Sequence, residues 1–336
     1  MKIAVIGAGA IGSVIAGYLV KAGQTVILTG REEQSMAINQ NGLTIKTSTQ
    51  KETIRVPVAI QLNRPCDLVI FTVKTQDMEE AYQENFSAIE RSLILTTQNG
   101  VQADNILSSH FEPKRIISSI VMFGATYVKP GEVTVNFPGD WIIGKPFTTN
   151  DPEVTQVAEA LKKAFPVVVS SNIMGMKWLK LFVNFNNCIP ALIGKSMQET
   201  FADKDLCRLS VMLLREGVSI VRNAGIELVS LPQFPVERVY GLAAMPVDQA
   251  AEIIHKTLTT LSKEPLYGSI LQSIMRKKTS EIDFINGEVT LVAKNIRMES
   301  PLNRKVVELV HTVEREGRFF EPAEVKREFD LMGIRG

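Results

Sequence analysis

Lys180, Asn184 and Asn187 are three of the four polar residues, with Asn186, in an otherwise apolar stretch, WLKLFVNFNNCIPALIG, and they recur at i, i+4 and i+7. On a continuous helix that spacing sets them along one face. Polar side chains on an apolar helix need hydrogen-bond partners, which a polar cleft or a substrate supplies. An interhelical amide network with a solvated lysine would satisfy the same spacing, so the stretch on its own names candidates and leaves their use open.

A second group of residues lies at the N-terminus, in MKIAVIGAGAIGSVIAG. Lys2 to Ile6 is a short run of strand type. Gly7, Gly9 and Gly12 follow at G-x-G-x-x-G spacing, ahead of an apolar helix containing Val14, Ile15, Ala16, Tyr18 and Leu19. In this pattern Gly7 allows the turn, Gly9 lets the backbone approach a pyrophosphate and Gly12 lets the helix pack closely on the strand. Ala8, Ala10 and Ile11 complete the loop, and the helix N-terminus offers free N–H groups and a positive dipole end to phosphates.

Glycine pairs also occur in turns that bind nothing, so an unoccupied strand–helix–strand unit is the alternative. Context favours a dinucleotide. A second strand, Thr25 to Thr29, ends about 20 residues beyond the turn, where an NAD site usually carries Asp or Glu for the ribose 2'-hydroxyl. This chain has Gly30 and Arg31 there. A guanidinium suits a 2'-phosphate, which favours NADPH over NADH, although Glu32 or Glu33 could turn back toward the ribose.

Elements that would position these groups follow from the rest of the chain. With 336 residues, 45% hydrophobic and 22% charged, the sequence has the composition of a globular protein of two domains. A net charge of +1 gives no footprint for nucleic acid, so small ligands are expected as partners. Cys66, Cys188 and Cys207 are odd in number and widely spaced, and His110, His255 and His311 are scattered, so neither a disulfide framework nor a metal site is expected. The chain enters a strand at once, with no signal peptide and no apolar run of the roughly 20 residues that span a bilayer; a cytoplasmic protein is expected.

Residues 1–172 read as a doubly wound α/β sheet of Rossmann type, and 173–336 as an all-α domain. Asp67 to Val73 is a strand buried on both faces, so Lys74, Thr75 and Gln76 lie at the carboxyl end where open α/β sheets bind ligands. Leu93 to Thr97 is another, and it places Asn99 at the equivalent point, where Asn-Gly could equally be a simple turn. Gly42 to Ile60 has hairpin character and is expected at the edge of the sheet. Ile116–Ile120, Gly131–Val135, Trp141–Gly144 and Val167–Ser170 read as further strands. Beyond residue 172 the periodicity is helical: a long helix through the Lys180 stretch, then Lys204–Asn223, Val247–Ser262, Ser269–Lys278, Glu281–Lys294 and a last helix opened by Ser300-Pro301.

The chain resembles the ketopantoate reductases in seven further short motifs in order: Arg31 after the second strand, VKTQ at 73–76, TTQNG at 96–100, FGAT at 123–126, WLKLFVN at 178–184, SILQS at 269–273 and EIDFING at 281–287. The resemblance implies reduction of the 2-keto group of ketopantoate by NADPH, on the route to pantothenate and coenzyme A. It implies Lys180 as proton donor and Glu281 as a carboxylate closing the site near the nicotinamide ribose. Asn99, Asn184 and Ser269 would bind substrate, with Asn187 or Cys188 where relatives carry a second asparagine. Gly7 to Gly12, Arg31, Lys74, Asn99, Ala125 and Glu281 would contact the cofactor. Pro190 departs from the family pattern. A reductase of another branched 2-keto acid is the near rival, and a non-catalytic NADPH-binding sensor the distant one. Apolar faces on the later helices are compatible with a homodimer and equally with core packing.

Overall fold

The computed structural model describes residues 1–331, and the chain divides into two compact units, Met1–Lys177 and Trp178–Gly336. The expected second domain thus runs five residues beyond the described ones. The division falls inside a single helix, Ile173–Asn184.

In the first unit the strands are β1 (Lys2–Ile6), β2 (Thr25–Thr29), β3 (Leu43–Lys46), β4 (Lys51–Ile54), β5 (Val58–Ala59) and β6 (Leu68–Phe71). They continue with β7 (Leu93–Thr96), β8 (Ile116–Val121), β9 (Gly124–Lys129), β10 (Glu132–Phe137), β11 (Trp141–Gly144) and β12 (Val167–Val169). Eight of them form one sheet in the order β12-β11-β8-β7-β6-β1-β2-β5. The six from β5 to β8 are mutually parallel, and only β8 and β11 pair antiparallel. Counted within the parallel part, the order is the 3-2-1-4-5-6 of the dinucleotide-binding fold, with the reversal of direction between β1 and β6.

The strands are apolar throughout because both faces are covered. Ile3 and Val5 join a core with Val14, Ile15 and Leu19 of helix Ala10–Lys21 and with Val154 and Val157 of helix Pro152–Lys162. Ala4 and Ile6 face the other way, onto Met78 and Tyr82 of helix Met78–Ile89 and Leu107 of helix Gln102–Ser108. Asp151 caps the Pro152 helix by accepting from the backbone N–H of Val154 at 3.2 Å.

The structure corrects two expectations here. The hairpin expected at the sheet edge, β3–β4, belongs instead to a separate four-stranded sheet, β4-β3-β10-β9, and only the two-residue β5 joins the main sheet. The segment around FGAT is the strand β9, which its small and polar residues concealed. The alternation of β3 leaves Leu43 and Ile45 buried, and they pack toward Gly17 of the first helix, where a Cβ would stand 2.6 Å from the Ile45 side chain.

In the second unit, helix Lys204–Asn223 is central, and helices Val236–Ala244, Val247–Thr259, Asn286–Asn295 and Pro301–Glu316 pack on it. Its buried residues, among them Leu206, Leu209, Leu213, Val218 and Val221, recur at helical spacing. Glu216 on this helix caps another from outside: its carboxylate accepts from the backbone N–H groups of Leu302 and Asn303, at 3.0 and 2.8 Å, in the first turn of Pro301–Glu316. No helix among the described residues is long and apolar enough to cross a membrane.

Candidate active site

The three glycines of the first loop divide by what surrounds them: Gly7 has a φ of +114°, and a Cβ on it would stand 2.8 Å from the Val73 backbone nitrogen. A Cβ on Gly12 would stand 2.0 Å from the Gly7 carbonyl oxygen and 2.3 Å from Thr72 Oγ1, so the close packing of helix on strand demands glycine there. At Gly9 no atom of the described residues, its own chain neighbours aside, lies within 4 Å of the point a Cβ would occupy, and the residue is exposed. Packing among the described residues leaves room for a side chain at that point, and in the G-x-G-x-x-G pattern this is the position kept small for the approach of a pyrophosphate. Gly9 is also the N-terminal flank of a 12-residue helix with no side-chain cap and no acidic residue in its first turn, so its amides remain available to phosphate. Residues Ala8, Ala10 and Ile11 fill the loop between these points. The site thus fits a dinucleotide pyrophosphate.

The ends of β6 and β7 are held to this loop by side chains that spacing did not reveal. Thr72 Oγ1 donates to the Gly7 carbonyl at 2.7 Å. Gln98 Nε2 donates to the carbonyls of Phe71 and Val73, at 2.9 and 2.8 Å, and Thr97 Oγ1 donates to Phe71 at 2.8 Å. Lys74 and Asn99, at the two strand ends, are both partly exposed and stand on segments bound directly to each other. Ala125 is partly exposed in β9, paired with Val135 of β10. Arg31 is exposed immediately before helix Glu32–Asn41. Of the two acids that follow it, Glu33 lies toward Tyr127; burial and that carboxylate together push the phenol's pKa up.

Beneath the same strand ends lies a buried ion pair. Lys177 Nζ donates to Asp104 Oδ2 at 2.8 Å, with side chains 2% and 0% exposed. Thr96 Oγ1 and Ser118 Oγ each donate to the same carboxylate at 2.6 Å. The first turns of helix Ile173–Asn184 are thereby fixed on β7 and β8.

In the second unit the Lys180 stretch is not one helix. The α-helix ends at Asn184, Phe185–Asn187 form a turn of 3-10 helix, and a new helix runs Cys188–Ile193. Pro190 accounts for the break: with no N–H it cannot donate to the carbonyl four residues back, and it is accommodated in the first turn of the new helix. Lys180 and Asn184 share a helix face as expected, and Asn187 departs from it. Behind them the rings of Phe182 and Phe185 meet at 4.9 Å between centroids and press on Gly217, where a Cβ would stand 2.9 and 3.0 Å from them.

Lys180 is partly exposed, and no hydrogen bond or ion pair holds its ammonium among the described residues. Burial alone pushes its pKa down from the ordinary lysine value. Two lysines three residues apart thus differ in kind, Lys177 locked to a carboxylate and Lys180 desolvated without one.

Asn187 packs against the residue that precedes Ser269. Gly268, immediately before helix Ser269–Met275, lies so close to Asn187 that a Cβ would stand 2.6 Å from its Oδ1. Cys188 lies elsewhere: it is fully buried, its Sγ donates to the Phe185 carbonyl at 3.1 Å, and burial raises the thiol pKa to about 12. That is the environment of a core residue. Glu281 is partly exposed and stands just before the short 3-10 turn Ile282–Phe284, which replaces the first turn of the helix expected over Glu281–Lys294; the α-helix begins at Asn286. A further helix, Pro322–Glu328, follows the one opened by Pro301.

A parallel sheet in this order, with an uncapped glycine loop after its first strand, defines a dinucleotide-binding protein. The N-terminal family model of ketopantoate reductase PanE/ApbA matches residues 3–146, and the family model of its C-terminal part matches residues 172–314. The chain belongs to the ketopantoate reductase family. It is 32% identical over 322 residues to the 2-dehydropantoate 2-reductase of Pyrococcus horikoshii, covering 94% of this chain and 99% of that one. Similarity to the enzyme of the same name from Pyrococcus abyssi is 31% over 311 residues, 90% of this chain and 94% of that one. Among solved structures, a PanE/ApbA family ketopantoate reductase from Ralstonia eutropha superposes with a TM-score of 0.79 at 26% identity, covering 94% and 99% of the two chains. A D-mandelate dehydrogenase with NADH and anilino(oxo)acetate shares the fold, with a TM-score of 0.81 at 22% identity over 94% and 99%.

Proposed function

We propose that this protein reduces 2-dehydropantoate to pantoate with NADPH, a step on the route to pantothenate and coenzyme A, with Lys180 as the proton donor. The observation that carries the reading is the state of Lys180: an ammonium lowered in pKa by burial, without a partner among the described residues, on a helix within the stretch 172–314 that the family model matches.

Gly7 to Gly12 and Arg31 would hold NADPH, which when bound would supply a hydride for the keto carbon. The electron pair of the carbonyl then moves onto oxygen, and the Lys180 ammonium stabilises the growing charge and transfers its proton there, leaving a neutral amine that solvent reprotonates. A lysine with a lowered pKa surrenders that proton more readily near neutral pH than an ordinary one. Asn184, Asn187 and Ser269 offer neutral hydrogen bonds to the substrate carboxylate and hydroxyl, fixing the carbonyl without quenching its polarity. Asn99 and Lys74 serve the cofactor end, Gly7 to Gly12 hold the pyrophosphate, and Arg31 pairs with the 2'-phosphate. Glu281 and Ala125 would be further cofactor contacts.

NADPH oxidation followed at 2-dehydropantoate and at a panel of other branched 2-keto acids tests the reading. Turnover with 2-dehydropantoate ahead of the others supports it, and turnover only with another acid replaces the substrate while keeping the chemistry. NADPH binding with no turnover on any of them makes the chain a sensor. Arg31→Ala is expected to weaken NADPH while leaving NADH nearly unchanged; equal weakening of both would remove the role given to the guanidinium.

A further inference from the structure

Gln34 is buried, 6% exposed, in the first turn of helix Glu32–Asn41, and its amide is used at both ends. Its Nε2 donates to the carbonyl of Ala8, in the middle of the glycine loop, at 3.0 Å. Its Oε1 accepts from the backbone N–H of Gly131 at 2.8 Å and from the Tyr127 hydroxyl at 3.1 Å. Gly131 sits in the turn between β9 and β10, and its carbonyl accepts from the N–H of Thr44 in β3 at 2.8 Å. One side chain therefore joins the phosphate loop to the second sheet.

The surroundings leave the loop little other support on that side. Gly30 packs against Ala8, where a Cβ would stand 2.6 Å from the alanine methyl, and Ser35 Oγ donates to the Gly30 carbonyl at 2.9 Å. Those contacts fix the end of β2. The Ala8 carbonyl itself has no place in the strand ladder, since the pairing of β1 ends at Ile6 with Thr29 and Phe71.

We infer that Gln34 is a positioning residue for the dinucleotide, and that the four-stranded sheet is the brace through which it acts. By holding the Ala8 carbonyl away from the ligand, the Gln34 amide keeps the loop N–H groups aimed at the pyrophosphate before anything binds. Preorganisation of this kind appears as affinity, because the ordering cost is met during folding. The inference rests on the reading that a nicotinamide dinucleotide occupies the glycine loop.

Two variants test it, each checked for native circular dichroism. Gln34→Met keeps the length and removes both polar ends. Gln34→Glu keeps the acceptor for Gly131 and Tyr127 but turns a donor to the Ala8 carbonyl into a repelling oxygen. Dissociation constants for NADPH and NADH are read from nicotinamide fluorescence, and kcat is measured at saturating NADPH. Each variant is expected to weaken both dinucleotides by the same factor, ~10-fold, as for loss of the one buried hydrogen bond that both remove, that to the Ala8 carbonyl. The ratio between the two and kcat should stay where they are. Tyr127→Phe, which leaves the Ala8 and Gly131 bonds in place, serves if neither substitution at 34 folds, and is expected to weaken both dinucleotides ~2-fold.

A folded Gln34 variant that binds both dinucleotides as the parent does would overturn the inference, as would an unchanged affinity in Tyr127→Phe if that variant must stand alone. A change in the NADPH to NADH ratio would also overturn it, because that would place Gln34 at the 2'-phosphate. Failure of the parent protein to bind either dinucleotide would instead sink the functional reading beneath it.

Discussion

Replacing Asp104 with alanine should destabilise the first unit more than any surface substitution, and its size can be worked from the contacts. The carboxylate accepts from Lys177 Nζ at 2.8 Å and from the Thr96 and Ser118 hydroxyls at 2.6 Å. Without it, the Lys177 ammonium keeps only Ser118 Oγ, 3.1 Å away, in a place 2% exposed. Breaking one side of a buried pair costs about 3–5 kcal/mol, because the charge left behind stays desolvated. For a unit of this size that corresponds to a fall in Tm of ~10 °C. Thermal unfolding would be followed by the fluorescence of Trp141, which donates to Ser119 Oγ at 2.8 Å beside the network, in a Trp178→Phe background that removes the chain's other tryptophan. The double variant Asp104→Leu with Lys177→Met leaves no orphaned charge and should recover most of the loss. A single variant within ~1 kcal/mol of the parent, or a double variant no more stable than the single, would refute the reasoning.

Gly9→Ala should leave Tm unchanged while raising the NADPH dissociation constant ~10-fold or more, since a methyl there meets only the ligand; equal loss of stability and binding would contradict this. His311 is flanked by Asp283 at Nε2 and Glu314 at Nδ1, both at 3.0 Å. Burial disfavours its charge, but those two hydrogen bonds outweigh it and hold the imidazolium pKa above the ordinary value. Its stabilisation is therefore fully present below about pH 6.5 and is lost as pH rises through the higher folded value. Denaturation of the helical unit between about pH 5.5 and 8.5 should show this decline. His311→Gln should flatten it, and an unchanged slope in that variant would reject the assignment.

The parts of the fold that were legible in the sequence are those fixed by local chemistry. The glycine loop was, because Gly7 and Gly12 answer separate steric demands at a recognisable spacing, and so were the parallel strands, whose unbroken apolar runs need cover on both faces. Helix starts at Asp151-Pro152 and Pro301 were readable from their capping residues. The second sheet was not, because β3 and β10 lie far apart in the chain and their pairing leaves no trace in either strand. Asn187 was misplaced because Pro190, just beyond it, decides where the helix must restart. Nothing in the local sequence singles out Gln34, Asp104 or Lys177. Their roles arise from partners distant in sequence, as with the 73 residues between Asp104 and Lys177.

Lys180→Ala, assayed with 2-dehydropantoate and NADPH across pH, tests the central claim most directly. In the parent, turnover should fall as pH rises through the lowered pKa of Lys180, below the alkaline limit of about 10.4 for an ordinary lysine, because only the ammonium can donate. The variant should lose that limb and ~10²–10⁴-fold in kcat while binding NADPH as the parent does. A variant that turns over at the parent's rate with the same alkaline limb would contradict the assignment of Lys180 as the acid.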